Sequence, residues 1–137
     1  MTIPKAPIVV GEIMSRDCYC VTGTTSVATL VAGLALHRLP GAPVVDERSH
    51  LIGFISEQDV LGKLLDSAYH CGQPALVREL MRDEVLTVTP RKSIVDLAQE
   101  MLGNKPKVYP VVENERLIGI VTRHDVLGAL ASMRGRF

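Results

Sequence analysis

Tryptophan is absent from the 137 residues, and aromatic side chains make up only 4 % of them. A core must therefore be built from Val, Leu, Ile, Ala and Met. There is no excess of charge of either sign: fifteen basic residues balance fifteen acidic ones. That removes the overall basic footprint of a nucleic-acid binder, and no helix-turn-helix pattern or basic stripe replaces it. Long hydrophobic runs are also missing. The longest stretch free of Asp, Glu, Lys, Arg and His runs from Cys18 to Leu36 and contains Thr22, Gly23, Thr24, Thr25, Ser26 and Thr29, too polar for a membrane span. Ile8-Val9-Val10 is too short for the apolar part of an export signal. Three cysteines cannot all pair within one chain, and without an export signal the expected setting is a reduced, cytoplasmic one.

Catalytic signatures are absent as well: no G-x-x-x-x-G-K-[ST], G-x-S-x-G or H-E-x-x-H occurs, so the reading is of a non-enzyme. Cys18-x-Cys20 in a strand would put two thiols on one face, and His70-Cys71 follows in a linker. The spacing is not that of a zinc ribbon or finger, so no metal is assigned. What remains is an ordinary globular balance, 47 % apolar and 22 % charged, which excludes disorder.

The strongest signal is internal. At an offset of 67, Val10–Val45 falls on Val77–Val112 with ten identities in 36 positions, among them Glu12/Glu79, Met14/Met81, Thr22/Thr89 and Pro43/Pro110. One extra residue in the first copy's 46–50 loop changes the offset to 66. LIGFISEQDVLGKLL then falls on LIGIVTRHDVLGALA with eight identities in fifteen. Two copies predict two halves related by a pseudo-twofold axis. The boundaries are 8–67, a linker over 68–76 containing Gly72 and Pro74, and 77–134.

Each copy reads as β-α-β-β-α, preceded by a helical turn at Gly11–Met14 or Arg78–Met81. A brief strand is expected at Cys20-Val21 or Leu86–Val88. A helix starts at Ser26 or Ser93, with Val27, Leu30, Val31 and Leu34, or Ile94, Leu97, Ala98 and Met101, on its apolar face. It ends near Pro40-Gly41 or Lys105-Pro106. Strands follow at Pro43–Val45 and Ile52–Ile55, and at Val108–Val112 and Ile118–Val121. The closing helices run from Ser56 to about Ser67 and from Thr122 to about Met133.

The motif G-x-[IV]-[ST]-x-x-D-V-L-G opens both closing helices. Ser56 or Thr122, followed three residues later by Asp59 or Asp125, resembles a capping box, and the acid suits the positive end of the helix dipole. The same geometry permits binding. A helix N-terminus attracts anions, and a carboxylate there can accept from a ribose diol. Arg123 and His124 add cations in the second copy, where the first has Glu57 and Gln58. Residues 1–76 hold five basic and seven acidic residues, against ten and eight in 77–137.

The doubled pattern V-x-E-[IL]-M, V-T, Pro-Val-Val and L-I-G-x-[IV]-[ST]-x-x-D-V resembles the cystathionine-beta-synthase (CBS) domain, and a tandem pair resembles a Bateman module. The resemblance covers about residues 8 to 133. It implies an α/β (α+β) fold of two β-α-β-β-α repeats packed through their sheets with pseudo-twofold symmetry, and two clefts between the repeats. It also implies regulatory binding of AMP, ADP, ATP or S-adenosylmethionine, sometimes NAD or dinucleotide polyphosphates. Neither membrane nor nucleic acid is implied as partner. A flat homodimer and an unidentified effector protein are implied, with no cofactor required. By the same resemblance Asp125 and Asp59 bind ribose hydroxyls, and Thr122 and Ser56 sit near ribose or phosphate. Thr89 and Thr22 lie in the loop that reads adenine. Tyr109-Pro110 and Ala42-Pro43 line the base pocket with Val121 and Ile55, and the Tyr109 ring is available to stack. Arg123 and His124 reach phosphate. Glu57-Gln58 departs from the pattern and makes the first site the weaker. The alternative is a dimerising interaction scaffold whose motif residues only cap and pack.

Overall fold

The computed structural model describes residues 8–66 and 75–134; the linker residues 67–74, with His70-Cys71, lie outside the described residues. The elements in chain order are α1 (Val10–Ile13), α2 (Val27–His37), β1 (Gly41–Val45), β2 (Leu51–Ser56) and α3 (Glu57–Leu64). They repeat as α4 (Val77–Leu80), α5 (Ile94–Glu100), β3 (Val108–Glu113), β4 (Arg116–Thr122) and α6 (Arg123–Arg134). Among the described residues no helix is long and apolar enough to cross a membrane.

The chain forms two compact units, each mixing both copies. Unit 1 takes the described residues of 1–17, 87–113 and 118–137, and unit 2 takes those of 18–86 and 114–117. The leading turn of each copy thus completes the unit built on the other copy. In unit 1, Val10 N–H donates to the Lys92 carbonyl (2.8 Å), Gly11 N–H to Pro90 (2.8 Å) and Ile94 N–H to Ile8 (3.0 Å). In unit 2, Val77 N–H donates to Thr25 (2.9 Å) and Arg78 N–H to Gly23 (3.0 Å). Apolar burial drives the exchange. Val10 and Val77 are both 0 % exposed, one packed with Ile94, Leu97 and Val121, the other with Leu30, Val44 and Ile55.

In unit 2, β1 and β2 pair antiparallel, with Gly41 opposite Ser56 and Ala42 opposite Ile55. A register shift between Val44 and Val45 leaves Ile52 outside the pairing. In unit 1, β3 pairs with β4. The brief strands expected at 20–21 and 86–88 are each a single parallel bridge, Val21 to Val44 and Val88 to Val111. In the first copy the chain turns at once: Thr22 N–H is taken by Thr25 Oγ1 (3.1 Å), so the ladder does not extend. Cys18 and Cys20 therefore share no strand face.

Helix starts follow the serines. Ser26 Oγ accepts from Thr29 N–H (3.1 Å) and Ser93 Oγ from Asp96 N–H (3.4 Å), satisfying amides that have no intrahelical partner. Of the apolar face expected on α2, Val27, Leu30 and Leu34 are buried, whereas Val31 is 46 % exposed. Helix α5 ends at Glu100, with Met101 as its cap, before Lys105-Pro106, because Gly103 follows at φ +84°, outside helical space.

Candidate functional site

Each closing helix begins where its strand ends, and a reciprocal capping box fixes the junction. In unit 1, Asp125 N–H donates to Thr122 Oγ1 (3.1 Å), and Thr122 N–H donates to Asp125 Oδ2 (2.9 Å). In unit 2, Asp59 N–H donates to Ser56 Oγ (3.1 Å), and Ser56 N–H to Asp59 Oδ2 (3.2 Å). The acids sit one turn into the helix, held by backbone.

The next amides are also engaged. Arg123 N–H donates to the Lys107 carbonyl (2.8 Å), and Glu57 N–H to Pro40 (2.8 Å). Of the first three amides of α6, that of His124 is the one these contacts leave. The α6 start therefore has fewer free backbone donors than the motif alone implies. Lys107 is a residue the motif reading missed. Its backbone abuts the start of α6 and its side chain is exposed, as are those of Arg123 and His124. The repeat alignment contained the signal: Lys107 falls on Pro40, just ahead of the strand. The α6 start thus carries Lys107, Arg123 and His124, where α3 has Pro40, Glu57 and Gln58.

The apolar candidates are core residues of the two units. Val121, Ala42 and Ile55 are 0 % exposed, and Pro110 and Pro43 are fully buried. Tyr109 is 4 % exposed and packs with Val111 and Val121, so its ring belongs to the unit 1 core instead of offering an open stacking face. Burial pushes the Tyr109 phenol above its ordinary pKa, and nearby Glu100 adds to that.

The structure does not bring the threonine loops to the capping boxes. Val45 N–H donates to the Val21 carbonyl (2.8 Å), so Thr22 lies at the Val45 end of β1, whereas Ser56 is opposite Gly41 at the other end. Four strand residues separate them by about 13 Å. In unit 1, Val112 N–H donates to Val88 (2.9 Å), which puts Thr89 at the far end of β3 from Lys107. Thr22 instead lines an open cavity of 540 Å³ with Thr24, Asp46, Arg48, His50 and Arg78. There the Asp46 carboxyl is held below the usual carboxylate range, first by the His50 N–H and then by the Arg48 N–H and the His50 ring. The corresponding place in unit 1 carries an Arg91–Glu113 ion pair (3.1 Å).

The two acids differ in what else they hold. Arg82 Nε donates to Asp59 Oδ1 (3.0 Å), and Arg82 Nη2 lies 3.0 Å from the same oxygen. Asp125 has only its capping contact among the described residues. No group of three or more His, Cys, Asp or Glu side chains gathers among them to hold a metal.

Known proteins resemble the chain in sequence and fold. A family model described as the CBS domain matches twice, over 10–66 and 77–132. The chain is 28 % identical over 123 residues to protein MJ1225 of Methanocaldococcus jannaschii, covering 90 % of this chain but only 43 % of that protein's length. Among solved structures, CBSX2 of Arabidopsis thaliana in complex with AMP superposes with a TM-score of 0.79 at 29 % identity. The match covers 92 % of this chain and 98 % of that one. The CBS domain pair of protein MJ0100, in complex with 5′-methylthioadenosine and S-adenosylmethionine, gives 0.76 at 25 % identity, covering 89 % and 98 %. The chain belongs to the CBS domain family and carries two CBS domains in tandem, a Bateman module across residues 10–132.

Proposed function

We propose that this chain is a regulatory module that binds an adenosine-type ligand at the α6 start of unit 1 and works by binding, without catalysis. The observation that carries the reading is Asp125. Its carboxylate is fixed by Thr122 N–H and keeps acceptor capacity to spare among the described residues, and it opens the same helix as Arg123 and His124, whose start the Lys107 backbone meets. The acid suits a ribose diol, and the cations suit phosphate. The AMP complex of CBSX2 and the S-adenosylmethionine complex of MJ0100 support the ligand class. AMP, ADP, ATP and S-adenosylmethionine are the candidates. The Asp59 site of unit 2 is the weaker. A bound ligand changes output only by preferring one arrangement of the protein, here of a homodimer or of its surface toward an effector protein.

A thermal-shift series with these ligands on nucleotide-free protein tests this. Ligand at about 100 times its dissociation constant stabilises by roughly 2.7 kcal/mol, which at this chain length raises Tm by about 2 to 6 °C. The shift is expected to vanish in Asp125→Ala and persist in Asp59→Ala. No shift with any adenosine compound would sink the reading and favour the scaffold.

A further inference from the structure

We propose that Arg82 decides which of the two acids takes the ligand, by acting as a built-in occupant of the Asp59 site. This rests on the reading of Asp125 as a diol-binding carboxylate. The argument is a count of acceptor sites. An ionised carboxylate has about four lone-pair positions. On Asp59, Ser56 N–H donates to Oδ2 and Arg82 Nε to Oδ1, and Nη2 of the same cation lies 3.0 Å from Oδ1. Oδ1 is thus held by the guanidinium, and a vicinal diol that donates to both oxygens must displace it. On Asp125 one donor is present among the described residues, so about three positions stay open.

Arg82 owes this reach to its place in the repeat. It exchanges backbone hydrogen bonds with Phe54 (Phe54 N–H to Arg82 3.0 Å, Arg82 N–H to Phe54 2.8 Å). Ser15 exchanges the same pair with Ile120 (2.8 and 3.0 Å). The backbones are equivalent, so the side chain alone makes the difference: the short Ser15 hydroxyl makes no contact with Asp125, whereas the guanidinium reaches Asp59. Asp59 is 14 % exposed against 68 % for Arg82. The guanidinium is thus the exposed partner of a largely covered acid.

The test counts bound adenosine by equilibrium dialysis on the full chain. Adenosine has no phosphate, which removes Glu57 repulsion as a cause. Wild type is expected to bind one equivalent, lost in Asp125→Ala. Arg82→Ser, which copies Ser15, is expected to raise affinity at the Asp59 site about tenfold, the worth of a charge-assisted contact. A second equivalent then appears and disappears again in Arg82→Ser/Asp59→Ala. The converse change, Ser15→Arg at an exposed position, is expected to weaken the Asp125 site about tenfold, and it decides alone should Arg82→Ser not fold. Two equivalents on wild type, or one Asp125-dependent equivalent unchanged in both Arg82→Ser and Ser15→Arg, overturns the role of Arg82 alone. No binding to wild type or any variant overturns the adenosine-site reading and this assignment with it.

Discussion

Single residues explain why the repeated L-I-G step is kept in both copies. A Cβ at Gly53 would stand 2.7 Å from the Arg82 carbonyl oxygen, and one at Gly119 would stand 2.6 Å from that of Ser15. These are backbone atoms hydrogen-bonded to the neighbouring strand residues, so they have little room to move. Gly53→Ala and Gly119→Ala are each expected to lose about 1–3 kcal/mol, the usual cost of forcing atoms into a packed site. Urea unfolding measures it, and an unchanged midpoint would refute the close approach. The crossing of a segment nearly 30 residues downstream of Gly53, or over 100 upstream of Gly119, leaves no trace in the local pattern. Asp59 is similar: its cap was legible in the Ser-x-x-Asp spacing, but its ion pair with Arg82 required the fold.

At the scale of elements, helix starts were the most legible part, because capping is a local bargain between a hydroxyl and an amide three residues on. Thr122→Ala is expected to cost about 0.5–2 kcal/mol and Ser56→Ala about the same, each read from the unfolding midpoint. Ends were less legible. Gly103 stops α5 before Pro106, and periodicity does not say which of two breakers acts first. The threonine segments at 22 and 89 were legible only as chain positions. Their separation from the capping boxes depends on which end of β1 or β3 the Val21 or Val88 bridge meets, and only the pairing shows that. The hairpin turn before β2 carries a pH signature. The folded pKa of Asp46 is depressed, so its contribution is present above the unfolded carboxylate value and is lost as pH falls through the folded one. Amide exchange at Arg48 and His50 is expected to quicken across that acidic range, and Asp46→Asn is expected to show the faster exchange already at neutral pH.

On the scale of the whole molecule, the duplication was plain, yet the sorting of segments into units was not. Identity at an offset says that two segments are alike; it does not say which copy each leading turn completes. A chain beginning at Cys18 lacks Val10 and Met14, both in the unit 1 core. Burying such side chains contributes about 1.5–3 kcal/mol each. Hydrogen exchange is expected to show α5 and α6 losing protection in that shortened chain, while the β1–β2 pair of unit 2 keeps it. Equal loss in both units would contradict the division.

The exchanged turns also set an order in time. Synthesis delivers 18–86, the larger part of unit 2, in one continuous stretch, whereas residues 8–17 must wait until 87–113 and 118–134 have been made. Segments generally fold as they emerge, the N-terminal ones first. Here the first described segment to leave the ribosome is among the last to find its place, and throughout that interval Val10 and Met14 have no native core to enter.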